Sequence, residues 1–172
     1  MSRLPRSGFG YDVHRYGGAR PLVLGGLPLN CGICVDANSD GDVLLHALMD
    51  ALLGCICAGD IGELFPDTDP ALENIASGVL LAEVLERCRA AGFTLIHADL
   101  TIIAEVPRIS PHRRAIAANL SRLLRLDPSC INVKAGSEEK LGFTGEKKGI
   151  KAYALVSGFL RAAGKDADYD PD

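Results

Sequence analysis

The sequence predicts an α+β protein, a single-domain α/β sandwich in which three main helices lie on one face of a mixed β-sheet. Segments with strand periodicity alternate with helical segments along the chain, which is typical of two packed layers. The chain has 172 residues, of which 48% are hydrophobic, enough for one compact domain and too few for two large ones. We predict one domain over residues 1–160 and an acidic tail at 161–172 that we expect to be disordered.

The first half of the chain predicts two strands and a long helix. A strand at 7–16 is followed by a Gly17-Gly18 turn and a strand at 21–29, which should pair with it as a hairpin. The segment from Asp40 to Cys57 predicts a helix that is apolar almost all round, with an aspartate as its start signal.

The second half predicts two further helices and three strands. A helix at 77–91 should end before Gly92, and another at 111–125 should begin with proline, the favoured first helical residue. Strands are predicted at 93–106, 131–136 and 150–160. One face of the first of these should carry Ile96, Ala98, Leu100, Ile102 and Ala104.

Charge and composition exclude several classes of protein. The formal net charge is −4, and no basic face is evident, so nucleic-acid binding is not expected as the main role. The apolar runs are too short to cross a membrane, and the N-terminus has no apolar signal-peptide core, so we expect a cytoplasmic protein. The six cysteines should then be reduced. Cys31 and Cys34 have the spacing of a redox dithiol or of half a zinc knuckle, but no second suitable pair accompanies them.

A metal site is predicted from the first strand and the first helix. Asp12 and His14 are two residues apart, which points both side chains to one face of a strand. Phe9, Tyr11 and Val13 should fill the opposite face, whereas Gly8 and Gly10 should leave the polar face open. The helix carries one polar stripe at Asp42, His46 and Asp50. One carboxylate and two imidazoles suit Zn²⁺, although each histidine alone could be an ordinary hydrogen-bonded residue.

Two loops carry further candidate residues. Asp60, Asp67 and Asp69 either form a solvated turn or, with the backbone of Ile61 and Gly62, bind a polyhydroxylated substrate. The Gly-rich segment 134–149 lacks the Walker pattern, but a carboxylate such as that of Glu139 could hold Mg²⁺ beside a phosphate. His97 and His112 are expected to be structural or surface residues.

Five blocks of sequence together resemble the family of 2-C-methyl-D-erythritol 2,4-cyclodiphosphate synthases. They span most of the chain, from about Arg6 to Leu160. The blocks are Gly10-Tyr-Asp-Val-His14, Ser39-Asp-Gly-Asp-Val-Leu-Leu-His46, Gly59-Asp-Ile-Gly-Glu-Leu-Phe-Pro-Asp-Thr-Asp-Pro70, Asp99-Leu-Thr-Ile-Ile-Ala104 and Glu139-Lys-Leu-Gly-Phe-Thr-Gly145.

The resemblance implies an activity, two metals and an assembly. The expected reaction converts 4-diphosphocytidyl-2-C-methyl-D-erythritol 2-phosphate to the cyclic diphosphate and CMP, in non-mevalonate isoprenoid biosynthesis. The expected assembly is a homotrimer with active sites between adjacent subunits. Zn²⁺ would be bound by Asp12, His14 and His46, and Mg²⁺ or Mn²⁺ by Glu139 together with the substrate phosphates.

The resemblance also implies which residues contact the substrate. The methylerythritol would meet Asp60, Ile61, Gly62, Phe65, Pro66, Asp67, Thr68 and Asp69. The cytidine diphosphate would meet Ala104, Glu105, Val106, Pro107, Arg108, Ile109, Ser110, Gly136, Ser137, Glu138 and Glu139. The substrate-binding set further includes Asp12, His14, Asn38, Ser39, Phe143 and Glu146.

The sequence departs from the family pattern at three sites, one of which is a pair of adjacent residues. Asn38 replaces a histidine thought to stabilise the phosphates, and it can donate a hydrogen bond but no charge. Gly136-Ser137 replaces two threonines, and Ser137 keeps the hydroxyl, so Asn38 and Ser137 are the expected catalytic side chains. Glu146 replaces an arginine at the threefold axis, which in relatives is associated with isoprenoid diphosphate. We expect the acidic residue to weaken or abolish such binding.

Two other functions stay open from the sequence. A zinc-dependent phosphoester hydrolase would use the same three ligands but would release an open-chain phosphate. A thiol or metal-buffering module would depend on Cys31 and Cys34 instead.

Overall fold

The structure, a computed structural model, describes residues 3–66 and 68–162. Asp67 and most of the predicted acidic tail therefore lie outside the described residues. The strands are β1 (Arg3–Pro21), β2 (Val23–Leu24), β3 (Leu27–Pro28), β4 (Cys34–Asp36), β5 (Phe93–Ile103), β6 (Ile131–Gly136) and β7 (Gly149–Arg161). The helices are α1 (Val43–Cys55), α2 (Ile61–Leu64), α3 (Ser77–Ala90), α4 (Arg113–Leu124) and α5 (Gly142–Gly145).

The main sheet has the strand order β4-β1-β7-β5-β6. β1 and β5 pair antiparallel with β7, whereas β5 and β6 are parallel. The mixed sheet of the predicted fold is thus confirmed. β6 has the predicted bounds, and β7 extends one residue beyond the predicted domain boundary, to Arg161.

The predicted hairpin between the first two strands is wrong. β1 continues through the two glycines with only a register shift between Tyr16 and Arg20, and it pairs with β7 and β4. The turn lies later, at Gly25 and Gly26, which adopt φ of +61° and +75° between the short strands β2 and β3. Two consecutive residues with positive φ favour a tight hairpin turn that glycine forms without strain.

Helix α1 begins three residues later than predicted, and Asp42 is its N-cap. The Asp42 carboxylate accepts hydrogen bonds from the main-chain N–H groups of Leu44 and Leu45, and also from Gly25 and Gly26 of the β2–β3 turn. The main-chain N–H groups of these four residues are therefore the partners of Asp42 in the predicted polar stripe. Its buried carboxylate stabilises the helix start and joins it to the small hairpin.

Helix α1 lies directly on β1, where Gly8 and Gly10 allow the two backbones to approach. A Cβ at Gly10 would lie 1.9 Å from the carbonyl oxygen of Ala47, and one at Gly8 would lie 1.9 Å from that of Ala51. These glycines thus leave the strand face open for another element to approach, as expected, and that element is α1. Helices α1, α3 and α4 all pack on this side of the sheet.

The opposite face of the sheet is uncovered in the single chain. Phe9 is 63% exposed, and Tyr11, Val13 and Leu155 are also exposed. The Tyr153 ring lies 5.1 Å from that of Tyr11, which makes this a continuous apolar surface of the kind that marks an interaction site.

Two predicted element details need correction. A bulge between Leu95 and His97 interrupts the alternation of β5, so Ile96 is 40% exposed, whereas the other four residues of that predicted face are buried. Helix α4 begins at Arg113, after a turn in which the His112 N–H donates to the Ile109 carbonyl. No helix in the described ranges is long and apolar enough to span a membrane.

We predict that Gly10→Ala lowers the free energy of unfolding by about 3 kcal/mol or more, because the methyl group would force α1 away from β1. Urea denaturation followed by circular dichroism measures this change. Gly78→Ala in α3 is the matched control, since a Cβ there meets nothing within 4 Å, and it should stabilise the fold by about 0.5–1 kcal/mol. A Gly10→Ala protein as stable as its parent would contradict the proposed contact.

Candidate metal centre and adjoining cavities

The fold brings Asp12 and His14 of β1 together with His46 of α1. His46 Nδ1 lies 3.0 Å from Asp12 Oδ2, and His14 Nε2 lies 3.2 Å from the same oxygen. The two histidine nitrogens are 3.2 Å apart. Three possible ligand atoms thus converge on one point, although His46 is 34 positions from Asp12 in the chain.

The chemistry and spacing of this group fit a tetrahedral zinc ion. Ligand atoms at about 2.0–2.1 Å from zinc would lie about 3.3 Å from one another, close to the observed 3.0 and 3.2 Å. Three protein ligands leave a fourth position open to water or to a substrate oxygen. All three side chains are only partly exposed, so the group lies at the bottom of a depression rather than on the surface.

The charges of the group are suited to a cation. Burial alone would raise the pKa of Asp12, but hydrogen bonds to His14 and His46 outweigh it and hold this pKa at about 2. Asp12 is therefore ionised at neutral pH. Burial lowers the pKa of His46, but its hydrogen bond to Asp12 reverses the effect, so the pKa of His46 is raised above 6.5.

Ser77 and Asp40 orient His46 from behind. His46 Nε2 lies 3.0 Å from Ser77 Oγ, and the Ser77 hydroxyl donates to the Asp40 carboxylate. Since the hydroxyl proton goes to Asp40, Ser77 Oγ accepts from His46 Nε2–H, so Nδ1, beside Asp12 and His14, is the nitrogen that can bind a cation once it has lost its proton. Sequence reasoning missed both roles. Asp40 stands in a quoted motif, but nothing local marks Ser77, the first residue of α3.

The third member of the predicted helix stripe, Asp50, serves the fold rather than the metal group. Its carboxylate accepts a hydrogen bond from the Ile61 N–H at 2.9 Å. This contact fixes the start of α2 against α1, next to the metal group.

A first cavity of about 310 Å³ adjoins the metal group. The predicted site residues that line it are Asp12, His14, Asn38, Ser39, His46, Ile61, Gly62 and Phe65. The Asp60 carboxylate accepts a hydrogen bond from the main-chain N–H of Glu63, and the Asp69 carboxylate accepts one from that of Ala71. Such bonds are typical of an ordinary turn. Pro66, Thr68, Asp60 and Asp69 are exposed and do not line the cavity.

A second cavity of about 300 Å³ lies beside the end of β5 and β6. Its predicted residues are Ala104, Glu105, Pro107, Arg108, Ile109, Ser110, Gly136 and Ser137. Glu105 Oε2 is buried and has no hydrogen-bond partner among the described residues. Val106 does not line this cavity, and its carbonyl accepts a hydrogen bond from Tyr16.

The side chains of the predicted site residues in the Gly-rich segment contact several different partners. Glu138 pairs with Lys151 and accepts from the Thr144 hydroxyl. The Ser137 hydroxyl donates to Glu139 at 3.1 Å. Phe143 packs against the Lys151 ammonium, which lies 5.6 Å from its ring centre.

Glu146 forms an ion pair with Lys148 at 2.5 Å, so a lysine in the same chain offsets its charge. The effect of Glu146 on isoprenoid diphosphate binding stays a prediction.

Glu139 and the cysteines lie outside the metal group found among the described residues. The six cysteines are all free thiols, and Cys31 and Cys34 are half-buried. His97 and His112 do not belong to the group either. The metal group and the second cavity are also separate features, since the two cavities have no lining residue in common within residues 3–66 and 68–162.

Fold and site together define a mixed α/β protein with a candidate metal group, formed by Asp12, His14 and His46, at the edge of a cavity. The model of the YgbB family matches residues 5–158, so this chain belongs to that family. Over 151 residues the chain is 50% identical to 2-C-methyl-D-erythritol 2,4-cyclodiphosphate synthase of Vibrio cholerae, covering 88% of this chain and 96% of the relative. The resemblance drawn from the sequence is thereby confirmed.

Solved structures agree with this assignment. The structure of a 2C-methyl-D-erythritol-2,4-cyclodiphosphate synthase in its CDP-bound form has a TM-score of 0.81 and 40% identity, covering 88% of this chain and 98% of that one. The CDP complex of IspF from Plasmodium falciparum also has a TM-score of 0.81, with 33% identity, covering 94% of this chain and 100% of that one.

Other relatives are longer than this chain. The bifunctional enzyme IspD/IspF of Oleidesulfovibrio alaskensis is 58% identical over 162 residues, which make up 94% of this chain but 41% of the relative. The chain thus spans about two fifths of the length of such bifunctional relatives.

We predict that Ser77→Ala weakens zinc binding by about 10- to 100-fold, because His46 loses the partner that fixes its ring and its tautomer. Competition with a chromophoric chelator measures the affinity. Ser129→Ala is the matched control, since Ser129 also donates to an aspartate, Asp127, but on the exposed surface. Equal zinc affinity in both variants would rule out an orienting role for Ser77.

We also predict that zinc affinity rises with pH and levels off only above the raised pKa of His46. The proton on Nδ1 must leave before that nitrogen can bind a cation, so protonation competes with the metal at lower pH. Asp12 is ionised throughout and adds no slope. The measurement is the chelator competition repeated between about pH 5 and pH 8. A flat profile would show that His46 does not bind the metal.

Proposed function

We propose that this chain catalyses the reaction of its family: formation of 2-C-methyl-D-erythritol 2,4-cyclodiphosphate from 4-diphosphocytidyl-2-C-methyl-D-erythritol 2-phosphate, with release of CMP. The observation that carries the proposal is the Asp12-His14-His46 group at the edge of the first cavity. A metal ion held by these side chains would act as a Lewis acid at which a folded diphosphate binds. We propose Zn²⁺ as the metal, on the basis of the donor set and its spacing.

The two cavities suit the two ends of such a substrate. The second cavity, with its main-chain groups and the Ser137 hydroxyl, would take the cytidine diphosphate, a ligand present in two related structures. The first would take the methylerythritol against Ile61, Gly62 and Phe65. Asn38 and Ser39 line the same cavity as Asp12, His14 and His46, so they would contact the substrate beside the metal group.

A complete site requires a second copy of the chain under this proposal. Among the described residues, none lines both cavities, and the apolar face with Phe9, Tyr11 and Val13 is uncovered. Packing these faces around a threefold axis would bury them and would bring the first cavity of one copy to the second cavity of its neighbour. We therefore propose a homotrimer with active sites between subunits.

The protein groups would orient and neutralise rather than attack. The substrate's own 2-phosphate is the nucleophile, and its second pKa of about 6 leaves it largely ionised at neutral pH. Asn38 and Ser137 would donate hydrogen bonds to phosphate oxygens, and Glu139 would help to bind Mg²⁺ or Mn²⁺ at the diphosphate. Zinc, when bound, would polarise a phosphate oxygen. Alignment alone can contribute about 7–11 kcal/mol to such an intramolecular step.

We predict that His46→Ala abolishes zinc binding and lowers CMP release by roughly 1,000-fold, since a Lewis acid contributes several kcal/mol. The assay follows CMP and cyclic diphosphate, with zinc content and oligomeric size measured on the same sample. His97→Ala is the control, because His97 is exposed and outside the metal group. An open-chain phosphate as the product would indicate a hydrolase instead. Loss of the trimer with the zinc would argue against a purely catalytic site.

A further inference from the structure

Tyr16 joins the metal-bearing strand to the loop that lines the second cavity. Its hydroxyl donates to the main-chain carbonyl of Val106 at 2.5 Å, although the two residues are 90 positions apart in the chain. Asp12, His14 and Tyr16 alternate along β1 and therefore point to the same side of the strand. The strand that carries two metal ligands thus also carries the anchor of the 104–110 loop.

The Tyr16 side chain is itself held in place. Its main-chain N–H donates to the Lys148 carbonyl at 2.9 Å, and its ring is half-buried against the core. The result is a rigid donor at a fixed position.

The loop needs such an anchor at its centre. At its start, the Ala104 N–H donates to the Gly136 carbonyl at 3.1 Å, and at its end Ile109 is buried. Between these two points the loop turns outward, and Glu105, Pro107 and Arg108 line the second cavity on either side of Val106. The bond from Tyr16 to Val106 fixes the middle of this segment, so it sets where the main-chain groups on both sides lie.

We infer that Tyr16 is a positioning residue for recognition of the cytidine moiety: its hydroxyl holds the 104–110 loop in the conformation that binds the base and ribose. This inference rests on the proposed function, because that function assigns the second cavity to the cytidine diphosphate. Tyr16 does not touch the substrate. It acts through the Val106 carbonyl, and its loss should affect nucleotide binding more than the chemical step.

The test is Tyr16→Phe, which removes the hydroxyl and keeps the ring. In the zinc-loaded protein, the Kd for CDP and the KM for the substrate should each rise about 3- to 10-fold, as expected for loss of one hydrogen bond. The kcat should stay within about twofold, and zinc content should not change. Inhibition by inorganic pyrophosphate should also be unchanged, since pyrophosphate has no base or ribose. Calorimetric titration and steady-state kinetics give these values.

Ser121→Ala is the matched control, because the Ser121 hydroxyl also donates to a main-chain carbonyl, that of Leu126 at 2.6 Å, but Ser121 lines neither cavity, and all values should match the parent. Unchanged CDP binding in an active Tyr16→Phe protein would overturn the inference and leave the proposed function intact. Equal weakening of CDP and pyrophosphate binding, or a loss of zinc, would assign Tyr16 a general structural role and would also overturn it. If the unmodified protein neither binds CDP nor releases CMP, the proposed function fails, and the inference fails with it.

Discussion

The close contact between α1 and β1 is the constraint on which the rest of the structure depends. His46 precedes Ala47, whose carbonyl oxygen lies over Gly10, and Gly10 is two residues before Asp12. The helix can bring His46 Nδ1 within 3.0 Å of Asp12 only because the strand has no side chain at that crossing. Any group larger than hydrogen at Gly8 or Gly10 would widen the gap between the layers. The metal group would then separate, since its donors belong to both layers.

The polar atoms at this interface are arranged so that few are left without partners. Of the described residues, the buried polar or charged ones are Asp42, His46, Ser77 and Thr144. Asp42 accepts four main-chain N–H groups, and Ser77 connects His46 to Asp40. Unpaired polar groups in this position would destabilise the fold. The same hydrogen bonds therefore stabilise the fold and orient the imidazole toward a cation.

Two features of the single chain are the basis for the proposed homotrimer. The metal group opens to one cavity, the loop at 104–110 forms another, and none of the residues that the structure describes belongs to both. The apolar sheet face is exposed on the side away from the helices. The proposed trimer would cover that face and complete the site at once. In the bifunctional relatives, the matched segment is about two fifths of a longer chain. A segment similar to this chain therefore also occurs as part of a longer polypeptide.

The sequence by itself determined the features that depend on local patterns. The spacing of Asp12 and His14, the apolar character of the segment with His46, and the bounds of β6 could all be derived from neighbouring residues, and the motif blocks indicated the family. Tertiary structure alone decided the partner of β1, the capping role of Asp42, the hydrogen bond from Ser77 to His46, and the anchoring of Val106 by Tyr16. Each of these joins residues that are distant in the chain, and a pattern of neighbours carries no information about which distant atoms will meet. The close packing of two layers selects those contacts, because it excludes water and leaves each buried polar atom with only the partners that the fold brings to it.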